Sequence, residues 1–370
     1  MGNARVDQEA LAHFCREVFA RLGLSQDDAR EAARVLVAAD ARGIPSHGVA
    51  RLRRYVNGLR SGLMLPGAVC ETLMETPTSL VVNAHGAMGA PVSVRVMERT
   101  IAKARTSGAA FASVRDSNHF GIAGHYAMLA LPHDMLGIAM TNTAALGVPT
   151  FGRAVMFGTN PLAFAAPADR ERAFVLDMST TVVTRGKIEV CERTTKPLPP
   201  GWAVDRTGRP AADARSLLDD MQERRGGGIL PLGGLGELCG GHKGFGLAVM
   251  VDILCAALSG APTGPDVYDT AVSSARVSHF FGAIRIEAFR EAAGFRADMD
   301  RMLKRLRETP VAEGEERVYF AGLKEFEQEA ECARRGVPLA TQTCAMLAGV
   351  GQEFDVQAPD AAWDKGTVGP

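Results

Sequence analysis

The stretch LVVNAHGAMGAPVSVRVMERTIAKARTSGAAFASVRDSNHFG, residues 80–121, reads as strand, helix, strand. Leu80 to Val82 is a short β-branched run, apolar residues recur at helical spacing over 90–106, and Phe111 to Arg115 is a second strand. Such alternation is an α/β signature. Working outward, it predicts a helix near 122–131, strands at 136–140, 162–165 and 174–178, a long helix after Gly244, a strand over Val277–Ile286 and a helix from about Arg296 to Arg307. The charged, Pro- and Gly-rich stretch 185–228 is expected to be a long irregular loop covering a site or a partner.

The flanks read differently. Leu11, Phe14, Cys15, Val18, Phe19 and Leu22 recur at helical spacing, and Ser25 with Asp28 opens a second helix that Gly43 ends. Val49, Leu52, Val56 and Leu59 share one face of a third helix, and the tail from Leu323 is helical again. Two helical ends around an α/β centre suggest one discontinuous unit, 1–75 with 310–370, beside a core at 76–309.

With 46% hydrophobic residues in 370 the chain can bury a large core, and a net charge of -1 gives no field that favours nucleic acid or anionic membrane. Seven cysteines, widely spaced and without C-x-x-C, argue against a disulfide framework and a zinc site. The opening residues lack a signal-peptide core, and the apolar run Phe245–Leu258, broken by Asp252, falls short of the ~20 residues of a membrane span. It is expected to be a buried helix, and the setting cytoplasmic.

Several motifs are missing. Gly234-Leu235-Gly236 is followed by its next glycine at 240, one residue too late for G-x-G-x-x-G, and no H-e-x-x-h or G-x-S-x-G pattern occurs. What remains is a set of polar clusters. Ser46 and His47 sit in a Gly/Pro-flanked turn with Arg51 one turn on, where imidazole suits proton exchange and guanidinium suits a carboxylate; an exposed basic helix with a capping serine is the plainer explanation. His119 ends a strand, where sheets present ligand groups, and a histidine satisfied by a backbone carbonyl fits equally. Turn chemistry accounts for Gly158-Thr159-Asn160-Pro161, whereas Asp177, after Phe-Val-Leu and leading into Met178-Ser179, needs a partner. Seven glycines between 233 and 246, with Lys243 at the start of a helix, favour anion binding over a flexible loop.

Together, RGIPSHGVARLRRYV (42–56), SNHFGIAGHYA (117–127), GTNPLAFAAP (158–167), LDMSTTVVTRGKIEV (176–190), LPPGWAVD (198–205), LPLGG (230–234) and GGHKGFGLAVMVDIL (240–254) resemble the malate/L-lactate dehydrogenase family in order and spacing. Relatives include ureidoglycolate, sulfolactate and piperideine-2-carboxylate oxidoreductases. The resemblance implies a sulfolactate-dehydrogenase-like mixed sheet flanked by helices, not a Rossmann fold of the usual kind, in a homodimer with sites at the subunit interface. It implies NAD or NADP as cofactor, no metal, and interconversion of a small 2-hydroxy acid and its 2-oxo acid. Ser46, His47, His119 and Lys187 match catalytic positions, and Arg51 and Tyr55 match the substrate pocket. Thr143, Asp177-Met178-Ser179, His242-Lys243-Gly244 and Asp298-Met299-Asp300 match cofactor-contacting positions. Imine-reducing members resemble a Gly-Asp pattern where this chain has Lys187, which leans the reading toward 2-oxo acids. A cyclic-imine reductase and a non-catalytic ligand-binding module are the alternatives. Pro45 and the long GGLGELCGG segment depart from the family pattern.

Overall fold

Residues 4–270 and 274–363 are described by a computed structural model. β1 (Ala4–Val6), α1 (Gln8–Arg21), α2 (Gln26–Ala41) and α3 (Leu52–Arg60) precede β2 (Glu71–Glu75), β3 (Ser79–Asn83), α4 (Gly89–Ser107) and β4 (Ala109–Ser117). Next come α5 (Ala123–Met128), β5 (Met135–Thr141), β6 (Leu162–Ala166), β7 (Phe174–Met178), α6 (Arg185–Arg193), β8 (Ala203–Val204), α7 (Ala214–Gln222) and β9 (Gly228–Ile229). The rest is α8 (Gly241–Cys255), β10 (Val277–Arg285), α9 (Ala292–Arg307), α10 (Leu323–Arg335), β11 (Val337–Leu339), α11 (Thr341–Phe354) and β12 (Ala361–Trp363).

The main sheet runs β2-β3-β4-β10-β5-β6-β7. Only β3 and β4, joined by α4, are parallel, and every other neighbour is antiparallel. A dinucleotide crevice of the Rossmann type forms at the carboxyl ends of several parallel strands, so one parallel pair cannot build it. Alternation along β10 sends Phe281 into the layer under α4 and α5, with Val82, Met97, Val114 and Tyr126, and sends Phe280 to the other face with Met140, Val251 and Cys255. Phe281 is fully buried, and truncation to Ala would cost about 3–5 kcal/mol.

The chain ends meet. β1 lies between β11 and β12, and Phe14, Phe19, Leu36 and Tyr55 share a core with Cys332, Leu339 and Leu347. α1 and α2 start where Asp7 and Ser25 side chains accept the backbone N–H of Ala10 and Asp28, at 2.8 and 3.1 Å.

Two expectations need correction. Residues 185–228 are not an irregular loop: they hold α6, α7 and the β8–β9 ribbon around a small core of Ile188, Leu198, Leu217 and Ile229. The helices are nine residues each, with few apolar positions, and the Pro/Gly turns between them dominate the composition. The apolar helix after Gly240 is buried on one face only. Ala248, Val251, Asp252 and Cys255 point inward, while Val249, Met250 and Ile253 are exposed. Among the described residues, Gly241–Ser259 is the one helical stretch long and apolar enough to cross a membrane by composition. Edge strand β2 went unpredicted because all five of its residues face solvent and two are glutamates.

Candidate active site

Asp40, near the end of α2, sits 3% exposed with its carboxylate accepting the Val49 N–H at 2.6 Å. Gly48 lies directly against that carboxyl group, and a Cβ there would overlap it. The turn carrying Ser46 and His47 is thus pinned to α2 by one buried acid. Burial raises the Asp40 pKa to about 7, and the bond from Val49 opposes the rise.

Within the turn, Ser46 Oγ and His47 Nδ1 are 2.9 Å apart. Arg51 Nε donates to the Ser46 carbonyl at 2.7 Å, which folds the guanidinium back beside the imidazole and leaves its terminal nitrogens without a protein acceptor among the described residues. Burial, then the Arg51 charge, lowers His47 to about 4. It is neutral at neutral pH.

The second half of the site grows from the end of β4. The Asn118 amide donates to the carbonyls of Gly86 and Ala87 at 2.9 and 3.0 Å, fixing the strand end that presents His119. His119 Nδ1 meets the Tyr55 hydroxyl at 2.6 Å, and its ring stacks on His47 with centroids 5.5 Å apart. Burial, followed by His47 and the nearby arginines, holds His119 well below the ordinary histidine range. Burial raises Tyr55, so its hydroxyl stays protonated and can donate to His119 Nδ1. Both imidazoles therefore have Nδ1 tied to a hydroxyl and Nε2 left for a ligand.

Beneath this pair lies His279 of β10, fully buried, its ring nitrogens 2.8 Å from Thr141 Oγ1 and 2.9 Å from Ser117 Oγ. It stacks on Phe120 at 4.5 Å and is lowered by burial to about 3. The opposite wall is held by another buried acid. Asp252 of α8 accepts from the amides of Asn142 and Asn160 at 3.2 and 3.1 Å, and Asn160 Oδ1 accepts the Thr143 N–H at 3.2 Å. A cavity of about 890 Å³ lies between these walls, lined by Ser46, His47, Arg51, His119 and Thr143.

Other predicted residues go elsewhere. Lys187 is exposed on α6 and does not line the cavity, although Gly186 does. Asp177 has its partner inside the protein, the Gly124 N–H at 2.7 Å, and neither Met178 nor Ser179 faces the cavity. His242 and Lys243 are exposed at the start of α8, and Gly244 packs so closely on Leu232 that a Cβ would overlap its backbone. Asp300 accepts the N–H groups of Asp169, Arg170 and Glu171, Asp298 pairs with Arg290 and Arg301, and Met299 is buried. Asn160 is more than a turn residue, since at φ 35° it links the wall to Asp252. Asp40, His279, Asn142 and Asp252 were missed. A polar residue among Val37, Ala39 and Ala41 was the one available hint for Asp40, and the break in an apolar run was the hint for Asp252.

The sequence profile of the malate/L-lactate dehydrogenases matches residues 6–348. Over 353 residues the chain is 37% identical to a malate dehydrogenase of Pyrococcus horikoshii, covering 95% of this chain and 96% of that one. It is 33% identical over 257 residues to the Delta(1)-pyrroline-2-carboxylate/Delta(1)-piperideine-2-carboxylate reductase of Pseudomonas putida, 69% of this chain and 71% of that one. The crystal structure of malate dehydrogenase from Entamoeba histolytica superposes with a TM-score of 0.93 at 30% identity, over 97% of this chain and 100% of that one. The chain belongs to the malate/L-lactate dehydrogenase family, with the sulfolactate-dehydrogenase-like fold in place of a Rossmann domain, and it is a dehydrogenase.

Proposed function

We propose that this chain interconverts a small 2-hydroxy acid and its 2-oxo acid in the histidine-lined cavity, using NAD or NADP. The observation that carries the reading is the stacked His47–His119 pair, each Nδ1 tied to a hydroxyl, beside the end of the Arg51 guanidinium that has no acceptor among the described residues. Arg51 holds the substrate carboxylate through its free nitrogens. In the oxidation direction a neutral imidazole accepts the hydroxyl proton at Nε2; in reduction the same nitrogen returns it to the oxygen. Binding of the carboxylate offsets the Arg51 charge that lowers His47, and so raises its proton affinity when substrate is present.

A nicotinamide cofactor supplies or removes hydride at C2 when bound. The cavity fits such a group: its volume exceeds that of a small acid alone, and the Thr143 wall offers uncharged hydrogen-bonding groups. Thr143 would contact it. His242 and Lys243, exposed at the start of α8 outside the cavity lining, would hold a phosphate of the cofactor.

Arg51, Arg53, Arg54 and Arg185 line the cavity against Glu189 and Asp269, and among the described residues Arg54 has only Asp269 within ion-pair distance, at 3.8 Å. Four arginines against two carboxylates leave an excess of positive charge, which disfavours a cationic iminium and favours an acid with a second anionic group. This argument replaces the one from Lys187, which is outside the cavity. A panel of mono- and dianionic 2-oxo acids and piperideine-2-carboxylate, scored by absorbance loss from each reduced cofactor, tests it. A dianionic oxo acid should be reduced fastest. Faster turnover of the cyclic imine would replace the assignment by an imine reductase.

We further propose a homodimer. The helical ends pack on one another, so the apolar surface that needs covering is the outer face of α8, Val249, Met250 and Ile253, with Leu235 and Leu238 nearby in sequence. A near-neutral chain has no charge bias toward another partner, and a second copy of the same face is self-complementary. Sedimentation should give twice the chain mass, reduced to the monomer by Met250→Glu with Ile253→Glu; a fully active wild-type monomer would refute the dimer.

A further inference from the structure

A second cavity, of about 920 Å³, lies on the other side of α2, between α1, α4 and α5. Arg16, Arg30, Arg34, Arg42 and Arg105 line it, against three glutamates. The arginines come from separate elements: Arg30 and Arg34 lie one turn apart on α2, Arg42 caps that helix, Arg16 is on α1 and Arg105 is in the last turn of α4. Not all this charge is spent within the protein. Arg42 is buried against Glu329 at 3.0 Å, Arg16 pairs with Glu17 at 3.3 Å and Arg30 with Asp27 at 2.8 Å, but among the described residues Arg34 reaches only Glu31, at 3.5 Å, which also serves Arg30. Arg105 has no carboxylate within ion-pair distance among the described residues and meets Nδ1 of the His133 ring at 2.9 Å.

An independent observation comes from the cavity's histidine. His125 of α5 is 6% exposed, and its Nε2 is buried with no hydrogen-bond partner among the described residues. Buried polar atoms without partners are uncommon, and this one stands among cations. Burial and the charges of Arg34 and Arg42 lower His125 to about 4, the direction that an anion in the cavity would reverse.

We propose that this cavity is a second ligand site, for a small anion carrying two or more negative groups, separate from the histidine-lined cavity. Each guanidinium brings five donors in a planar fork, which suits phosphate or carboxylate oxygens. The position also links it to the first site. α2 carries Arg34 and Arg42 on this side and Asp40, which pins the Ser46–His47 turn. α5 carries His125 and follows Gly121, which has no room for a Cβ beside Val35 of α2. An anion that draws α2 and α5 together therefore acts on the helix that pins the Ser46–His47 turn and on the helix that follows the His119 loop.

Calorimetric titration of the intact protein with inorganic pyrophosphate, and separately with citrate, tests the assignment without relying on activity. At least one should bind one per chain, unaffected by saturating reduced cofactor. Arg34→Gln with Arg105→Gln should weaken it tenfold or more while leaving thermal stability and anion-free kcat/KM near wild type. Stronger pyrophosphate binding marks a phosphorylated ligand, stronger citrate binding a polycarboxylate, and both support the site. Affinity weaker than about 10 mM for both, equal affinity in the double variant, or displacement by cofactor would overturn it. None of these outcomes depends on which acid the histidine cavity reduces.

Discussion

The Ser46–Gly48 turn and the Gly233–Gly244 segment look alike in sequence, each a glycine-bearing loop with a basic residue beside the start of a helix. They use their glycines differently. Gly48 makes room for the carboxyl of Asp40, a functional group whose bond to Val49 fixes the turn that presents His47. Gly241 and Gly244 make room for the backbone of Gly234 and Leu232, so the second segment folds tightly on itself. Glycine density reports close approach, and only the approaching atoms say whether the result is a site or a packing solution.

The sharpest way to test that contrast is through the histidines. His119→Asn should lower kcat/KM by about a hundredfold to ten-thousandfold, and His47→Asn by less, because the Tyr55 hydroxyl and Gly121 N–H both bond the His119 ring while, among the described residues, the His47 ring has the Ser46 hydroxyl as its one hydrogen-bond partner. Equal, small losses in both would remove the pair from the chemistry.

Asp40 gives the next largest effect. Asp40→Ala leaves the Val49 N–H without its partner and should lower kcat/KM about tenfold or more through displacement of the turn. Asp40→Asn keeps an acceptor oxygen and isolates the acid's charge. With its pKa raised from 3.8 to about 7, Asp40 binds a proton in the folded but not the unfolded chain between those values, so its contribution to stability falls as pH rises through that window. The asparagine variant should lose that slope and gain on wild type above pH 7, read by denaturant unfolding at pH 5 and 8. Parallel slopes would show that Asp40 does not titrate there.

The smallest effects belong to the outer cations. Lys243→Ala should raise KM for the cofactor a few-fold with kcat unchanged, and Lys187→Ala should change neither parameter beyond about twofold, since it is exposed and outside the cavity. A large kcat loss in Lys187→Ala would mean that the working site draws on a second chain.

Legibility followed the range of the interactions. Ser46, His47, Arg51 and His119, each at an element end that local patterning reveals, line one cavity together with Thr143, which only the family resemblance pointed to. His279 and Asp252 did not announce themselves. The side chains they bond lie more than 90 residues away, and nothing near them in sequence records those contacts. α8 misled for a related reason: an apolar helix looks the same whether its second face meets a core or another molecule. The Asp298–Asp300 run matched a cofactor motif, yet Asp300 caps the 169–171 loop in this chain.

β10 occupies the middle of the main sheet yet is the last of its seven strands in the chain, pairing with β4 across about 160 residues and with β5 across about 140. On a ribosome, the walls bearing His119 and Thr143 would emerge long before the strand that joins them. Until then β4 and β5 expose unpaired edges, the condition under which chains stall or self-associate. Closure of such long spans slows folding, and the pocket is complete only once His279 lies between Ser117 and Thr141.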